Sequence, residues 1–197
     1  MQLYNKLSAD ERAQLIEKAG EERRTLSFYQ YAKIVKPYFF RDYLFINLDP
    51  LEVLGRIYVA SEGINAQLSV PAKNFSLFKA QIDSIDFLQN VRLNIAIEHD
   101  NKSFLKLTIK VRDKIVADGL EDKSFDVTKK GKHVNALEFN NLLEDKNTIC
   151  VDMRNHYESE IGHFQKAVTP DVDTFRESLP IIEKDLSEYK ENKTLLM

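Results

Sequence analysis

Three groups of residues have the types and spacing to do chemistry. The first comprises Tyr29, Tyr31, Arg56, Tyr58, Asn65, Gln67, Arg92, Asn94, Lys106, Lys110 and Arg112, at alternate positions of segments that read as strands. Aromatic rings stack on unpaired bases, Arg and Lys neutralise phosphates, and amides bond base edges. Together they suit a platform for single-stranded RNA. The same pattern also fits an ordinary solvated sheet face, or a face packed on a second domain.

The second group follows an apolar run: Val151, Asp152, Met153, Arg154 and Asn155, then His156, Tyr157, Glu158, Gly162, His163 and Phe164. An Asp and an Arg at the C-terminal end of a buried parallel strand stand where α/β folds place ligands. Glu158 can take an ion pair from Arg154, and His163 follows a Gly suited to a tight turn. The competing reading is a polar staple of Asp152, Arg154 and Glu158 that fixes loops.

The third is Cys150, the single cysteine, between Ile149 and Val151. A thiol among apolar residues is held protonated and inert, so Cys150 reads as core. His99, His133, His156 and His163 lack a regular ligand spacing and there is no cysteine pair, which argues against a metal site. No GxGxxG or Walker-type loop occurs. Glu62-Gly63 falls in a turn and could touch a ligand, although such a Gly commonly serves only the backbone.

The elements that must position these groups follow from periodicity. Ser8 and Glu11 form a capping box opening a helix to about Lys18. Thr25 to Tyr31 alternates as a strand, Pro37 to Leu48 is a helix with Pro in its first turn, and Arg56 to Ala60 and Ile64 to Val70 are strands joined by a Ser61-Glu62-Gly63 turn. Pro71 starts a helix with Phe75, Phe78, Ile82 and Ile85 at helical spacing. Val91 to Glu98, with Leu93, Ile95 and Ile97 on one face, and Phe104 to Arg112 are further strands. This order predicts an α+β ferredoxin-like sandwich over residues 21–112, with helices on one side of a mostly antiparallel sheet. Residues 1–20 are an N-terminal helix and 113–134 a linker.

Residues 135–197 predict a parallel α/β domain left unfinished. It has a helix from Asn135 to Leu143, a buried strand from Thr148 to Met153, and a helix capped by Asp173 or Thr174 running through Leu179. A further helix spans Glu183 to Lys190, and a strand begins at Thr194.

At 197 residues, 43% hydrophobic and 30% charged, the chain can bury a core without staples. One cysteine cannot form an internal disulfide. The first twenty residues lack the apolar run of a secretory signal, and no segment approaches the ~20 apolar residues of a membrane span. A cytoplasmic location without membrane contact is expected. Residues 21–119 hold 14 Lys or Arg against 12 Asp or Glu, and residues 120–197 hold 11 against 16. The slightly basic first half is compatible with an anionic partner.

The stretches SFYQY, GRIYVASEGINAQLSVP, RLNIAIE, KVRDKIVADG, VDMRNHYESEIGHF and DTFRESLP occur in this order. Together they resemble the bacterial YceA/TrhO family, from about Thr25 to Met197. The resemblance implies an acylphosphatase-like domain followed by a rhodanese domain. It implies hydroxylation of tRNA wobble uridine 34 to 5-hydroxyuridine with molecular oxygen as co-substrate, tRNA as partner, and no assignable cofactor beyond that.

The family's catalytic cysteine is expected in a loop after the strand begun by Thr194 to Met197. By this resemblance no catalytic residue lies in the chain, and the polypeptide as written is expected to be inactive. Asp152, Arg154 and Glu158 are then active-site support. Tyr29, Tyr31, Arg56, Tyr58, Asn65, Arg92, Lys106, Lys110 and Arg112 are RNA-binding candidates. Glu62, Gly63 and Asn65 of the EGIN segment, with Lys110, Arg112 and Asp113 of KVRD, are assigned an RNA or interdomain role. A plain sulfurtransferase, or a non-catalytic RNA-binding module, are the alternatives.

Overall fold

A computed structural model describes residues 8–19, 22–97, 104–115, 131–189 and 193–197. The chain divides into two compact units, Met1–Val116 and Ala117–Met197.

In the first unit, helix α1 (Ala9–Ala19) opens on the expected capping box. The Ser8 N–H donates to Glu11 at 2.8 Å, and the Glu11 N–H donates to the Ser8 hydroxyl at 3.2 Å. Strand β1 (Arg23–Tyr31) is followed by α2 (Pro37–Leu48), β2 (Leu54–Ala60), β3 (Gly63–Pro71), α3 (Phe75–Asp83), β4 (Asn94–Ile95) and β5 (Leu107–Val111). The sheet order is β4-β1-β3-β2-β5. β1 runs antiparallel to β3 and β4, and β2 runs antiparallel to β3. β5 extends the edge parallel to β2. The first four strands with α2 and α3 as crossovers have the α+β ferredoxin-like arrangement.

One sheet face is closed. Leu26, Phe28, Ile57, Val59, Ile64, Ala66 and Leu68 form a single core with Leu44 and Leu48 of α2 and Phe78 and Ile82 of α3. Each large apolar side chain buried there contributes about 1.5–3 kcal/mol. The alternation of period two that fills this face leaves the intervening side chains on the other.

Gly63 closes the β2–β3 turn at φ 150°, where a Cβ would stand 2.2 Å from the Gln30 carbonyl oxygen. Any side chain there would force β3 off β1.

Two expectations for this unit need correction. The strand expected over Val91 to Glu98 pairs only at Asn94–Ile95, opposite Leu26 and Ser27. Glu98 lies outside the described residues. Leu93 packs on the core, but Ile95 is 46% and Ile97 99% exposed. Alternation alone did not bury these two, because β4 is an edge strand that pairs over two residues only. The first residues of the expected linker also belong to this unit: Ile115 is buried.

The second unit has helix α4 (Ala136–Glu144), strand β6 (Thr148–Cys150), α5 (His156–Ile161), α6 (Phe175–Asp185) and β7 (Thr194–Leu196). Asn135 and Glu138 form a capping box for α4. β6 and β7 pair in parallel, with Cys150 opposite Leu196, and Val151 bridges Val168 in parallel. The nearly apolar run at β6 is buried at Cys150 and Val151. Where the sequence suggested a break after Leu179, α6 continues through Pro180 to Asp185. Pro180 removes one N–H donor and its ring crowds the Arg176 carbonyl, yet the helix runs through it. Thr174 precedes this helix, its N–H donating to Glu177 at 3.2 Å. Glu183 falls inside α6, and a 3-10 turn spans Ser187–Tyr189.

Candidate functional site

The second face of the first unit's sheet is built in cross-strand rows. Asn65 of β3 stands opposite Tyr29 of β1 on one side and Tyr58 of β2 on the other, and Tyr58 stands opposite Lys110 of β5. The next row runs Asn94, Ser27, Gln67, Arg56, Thr108. Strand pairing thus brings residues from five segments onto one surface. Arg112 follows β5, its N–H donating to the Val59 carbonyl at 2.8 Å, and its guanidinium lies over the Tyr58 ring, 5.6 Å from the centroid. Tyr29 and Tyr31 meet edge to face, 6.3 Å between centroids at 76°. Lys106 precedes β5, its carbonyl held by the Gly55 N–H at 2.9 Å, and is exposed. Arg92 precedes the paired part of β4 and is also exposed. Arg56, Lys110 and Arg112 are exposed as well. Rings, amides and cations on one pleated surface can stack unpaired bases and neutralise phosphates.

The EGIN and KVRD segments meet, and the meeting is a backbone clamp. The Glu62 carboxylate accepts the Ile115 N–H at 2.8 Å, and the Asn65 side-chain amide donates to the Ile115 carbonyl at 3.2 Å. Ile115 itself is buried, so both of its backbone groups need partners. The clamp fixes the chain where it leaves β5, next to Arg112. Sequence reasoning missed this function because the partners lie 50 and 53 residues apart.

It also missed Arg23, buried at the foot of the sheet. Arg23 donates to the Ser69 hydroxyl at 2.8 Å, the Ser69 carbonyl at 2.9 Å and the Glu52 carbonyl at 2.6 Å. Nothing in residue type separates it from its neighbour Arg24, whose guanidinium lies 4.7 Å over Phe75.

In the second unit, Asp152 follows β6 and is buried, its N–H donating to the Val168 carbonyl at 2.8 Å. Its carboxylate accepts the Arg154 backbone N–H at 3.1 Å and Nε at 3.0 Å on one oxygen, and an Arg154 terminal nitrogen at 2.7 Å on the other. Arg154 also donates to the Gly162 carbonyl. The guanidinium's hydrogen bonds lead in holding the Asp152 carboxyl below its ordinary value, and the carboxylate raises Arg154 in return. The expected ion pair between Arg154 and Glu158 is absent among the described residues. The guanidinium turns to Asp152 and Gly162 instead, and Glu158 acts on it only through its charge. His163 Nδ1 lies 2.8 Å from the Ser159 carbonyl, and His156 Nδ1 lies 3.1 Å from Asp173. Phe164 packs on Phe139 with centroids 4.5 Å apart. This arrangement ties the loop after β6 to α5 and the turn beyond it.

Cys150 is 5% exposed. Burial first, and then the negative charge of Asp152, push its thiol above its usual value, as for a thiol packed among apolar residues. Among the described residues no cluster of three or more His, Cys, Asp or Glu could hold a metal, and no helix is long and apolar enough to cross a membrane.

The UPF0176 acylphosphatase-like domain matches residues 23–115, the sheet and helices of the first unit. A protein of Leptospira interrogans named tRNA uridine(34) hydroxylase is 52% identical over 92% of this chain and 49% of its own length. Proteins of the same name from Photorhabdus laumondii and Escherichia coli are 44% and 45% identical over 98% of this chain, and over 55% and 56% of their own lengths. The chain therefore spans about half the length of the curated relatives it matches. The first unit thus matches an acylphosphatase-like domain, and nearly the whole chain is similar to about half of each of these relatives.

Proposed function

We propose that this protein takes part in hydroxylating uridine 34 of tRNA to 5-hydroxyuridine, and that the open face of the first unit's sheet holds the RNA. The reaction turns C5–H of the base into C5–OH: one atom of molecular oxygen, the oxidant that the family resemblance implies, enters the base, and the other leaves as water with two electrons and two protons from a reductant. The observation that carries the reading is the identity of 44–52% to proteins named for this reaction, extending over nearly the whole chain and both units. Tyr29, Tyr58 and Lys110 of one row support the RNA part, since a base needs a ring and its phosphate needs a cation. The lock between Asp152 and Arg154 gives the loop after β6 a fixed shape, and in this reading it supports the reacting end of the second unit. The protein works in the compartment where tRNA is modified, the cytoplasm.

The test is mass analysis of wobble-position nucleosides from cells lacking the gene, with any redundant pathway also removed. Loss of 5-hydroxyuridine and the nucleosides derived from it is expected, with restoration by the reintroduced gene. Unchanged levels would refute the reading.

A further inference from the structure

The two tyrosines beside Asn65 are not equivalent. Tyr29 is 52% exposed, and its neighbour Tyr31 meets it at 76° rather than lying parallel on it. Tyr58 is half-buried and already carries the Arg112 guanidinium over its ring. The two residues are two strands apart, roughly 10 Å at the usual strand spacing. Lys110 and Arg112 lie about 7 Å apart along the outermost strand's path, on the Tyr58 side. Among the described residues neither cation meets a carboxylate or other hydrogen-bond acceptor through its side chain.

Resting on the reading of this face as an RNA platform, we infer that Tyr29 is the ring on which an unpaired base stacks, while Tyr58 is a positioning residue that holds Arg112 as a phosphate seat. A guanidinium drawn over a ring by the ring quadrupole makes no hydrogen bond to it, so its N–H donors remain available for a bidentate phosphate contact. Lys110, opposite Tyr58 in the register, adds a second positive charge to that seat. The clamp on Ile115 holds the chain just beyond Arg112, so the guanidinium is set from both sides, by its ring and by its backbone. The ligand is a single-stranded RNA segment with its base on Tyr29 and its backbone at Arg112 and Lys110, passing over the Ile115 segment that Asn65 holds between them. A duplex, whose bases are stacked on one another, offers no face to Tyr29.

The test uses the 197-residue chain and a labelled oligouridylate, with duplex RNA as the control, and reads affinity across a salt titration. Tyr29→Leu is expected to weaken binding by about tenfold to a hundredfold, as for a lost base–ring stack, with an unchanged slope of log affinity against log salt. Tyr58→Leu is expected to reduce that slope by about 0.7, as Arg112→Gln does, because one phosphate contact on a single strand is lost. The double variant should bind no worse than Arg112→Gln alone, and Tyr58→Phe, which keeps a ring beneath the cation, should restore the normal slope. Circular dichroism on each variant confirms the fold. A normal slope in Tyr58→Leu, or full affinity in Tyr29→Leu, would overturn the division of labour. If Lys110→Gln and Arg112→Gln still weaken binding in that case, the platform stands and only this inference falls. If oligouridylate does not bind, or none of the variants changes its binding, both fall.

Discussion

Replacing Glu62 with Ala tests the clamp at the end of the first unit. Ile115 is 4% exposed, so its N–H cannot turn to water when the carboxylate is removed. A buried donor left without a partner costs about 1–3 kcal/mol, which raises the equilibrium constant for local opening about 5- to 150-fold. Asn65→Ala should fall at the low end of the same range, about 1 kcal/mol, because the bond lost is neutral and 3.2 Å long. The two effects should not add, since both act by fixing the same residue. The global melting temperature is a poor readout in a chain of two compact units, where unfolding need not be a single transition. Amide hydrogen exchange is the direct one. Protection of the Ile115 amide should fall by the factor above in Glu62→Ala, while amides in the centre of β1 and β3 stay unchanged. Unaltered protection at Ile115 would refute the view that Glu62 holds the chain leaving β5.

Three further outcomes follow from the sites. Lys110→Gln with Arg112→Gln should lower the salt slope for single-stranded RNA by about 1.4, so the variant's deficit shrinks about sevenfold between 50 and 200 mM salt. An unchanged slope would remove these residues from the RNA contact. Asp152→Asn should lower the urea midpoint of the second unit at neutral pH. The Asp152 carboxyl is depressed in the folded state by its hydrogen bonds from Arg154, so its contribution is present above the unfolded value near pH 4 and is lost as pH falls through the folded value. The difference between wild type and variant should therefore vanish in strong acid, and a difference that persisted or grew there would contradict the linkage. Cys150 should react slowly with a thiol reagent until the protein is unfolded, and rapid labelling of folded protein would contradict its burial.

The first unit's strands were legible because each shows one apolar and one polar face, and only one face meets helices. That alternation was enough to assign Tyr29, Tyr58, Asn65 and Lys110 to one face, and strand pairing then set the four in one row. The same signal misled at Ile95 and Ile97, because periodicity reports which side a residue occupies and not whether anything covers it. The box of Ser8 and Glu11 was readable since its partners are three residues apart. The clamp on Ile115 and the buried Arg23 were not, since both depend on strand pairing that joins distant residues. Arg154 was given the wrong partner for a related reason: sequence offered Asp152 and Glu158 alike. The loop's fold back to Gly162 settled the choice.

The central claim is that a wobble uridine is held on the open sheet of the first unit. Photocrosslinking of the protein to an anticodon stem-loop bearing 4-thiouridine at position 34, followed by peptide mass mapping, addresses it directly. Adducts are expected on the peptides containing Tyr29 and Tyr58, reduced by an excess of oligouridylate but not by duplex RNA. Adducts confined to α2 and α3, which close the opposite face, or to neither unit's described surface, would contradict it.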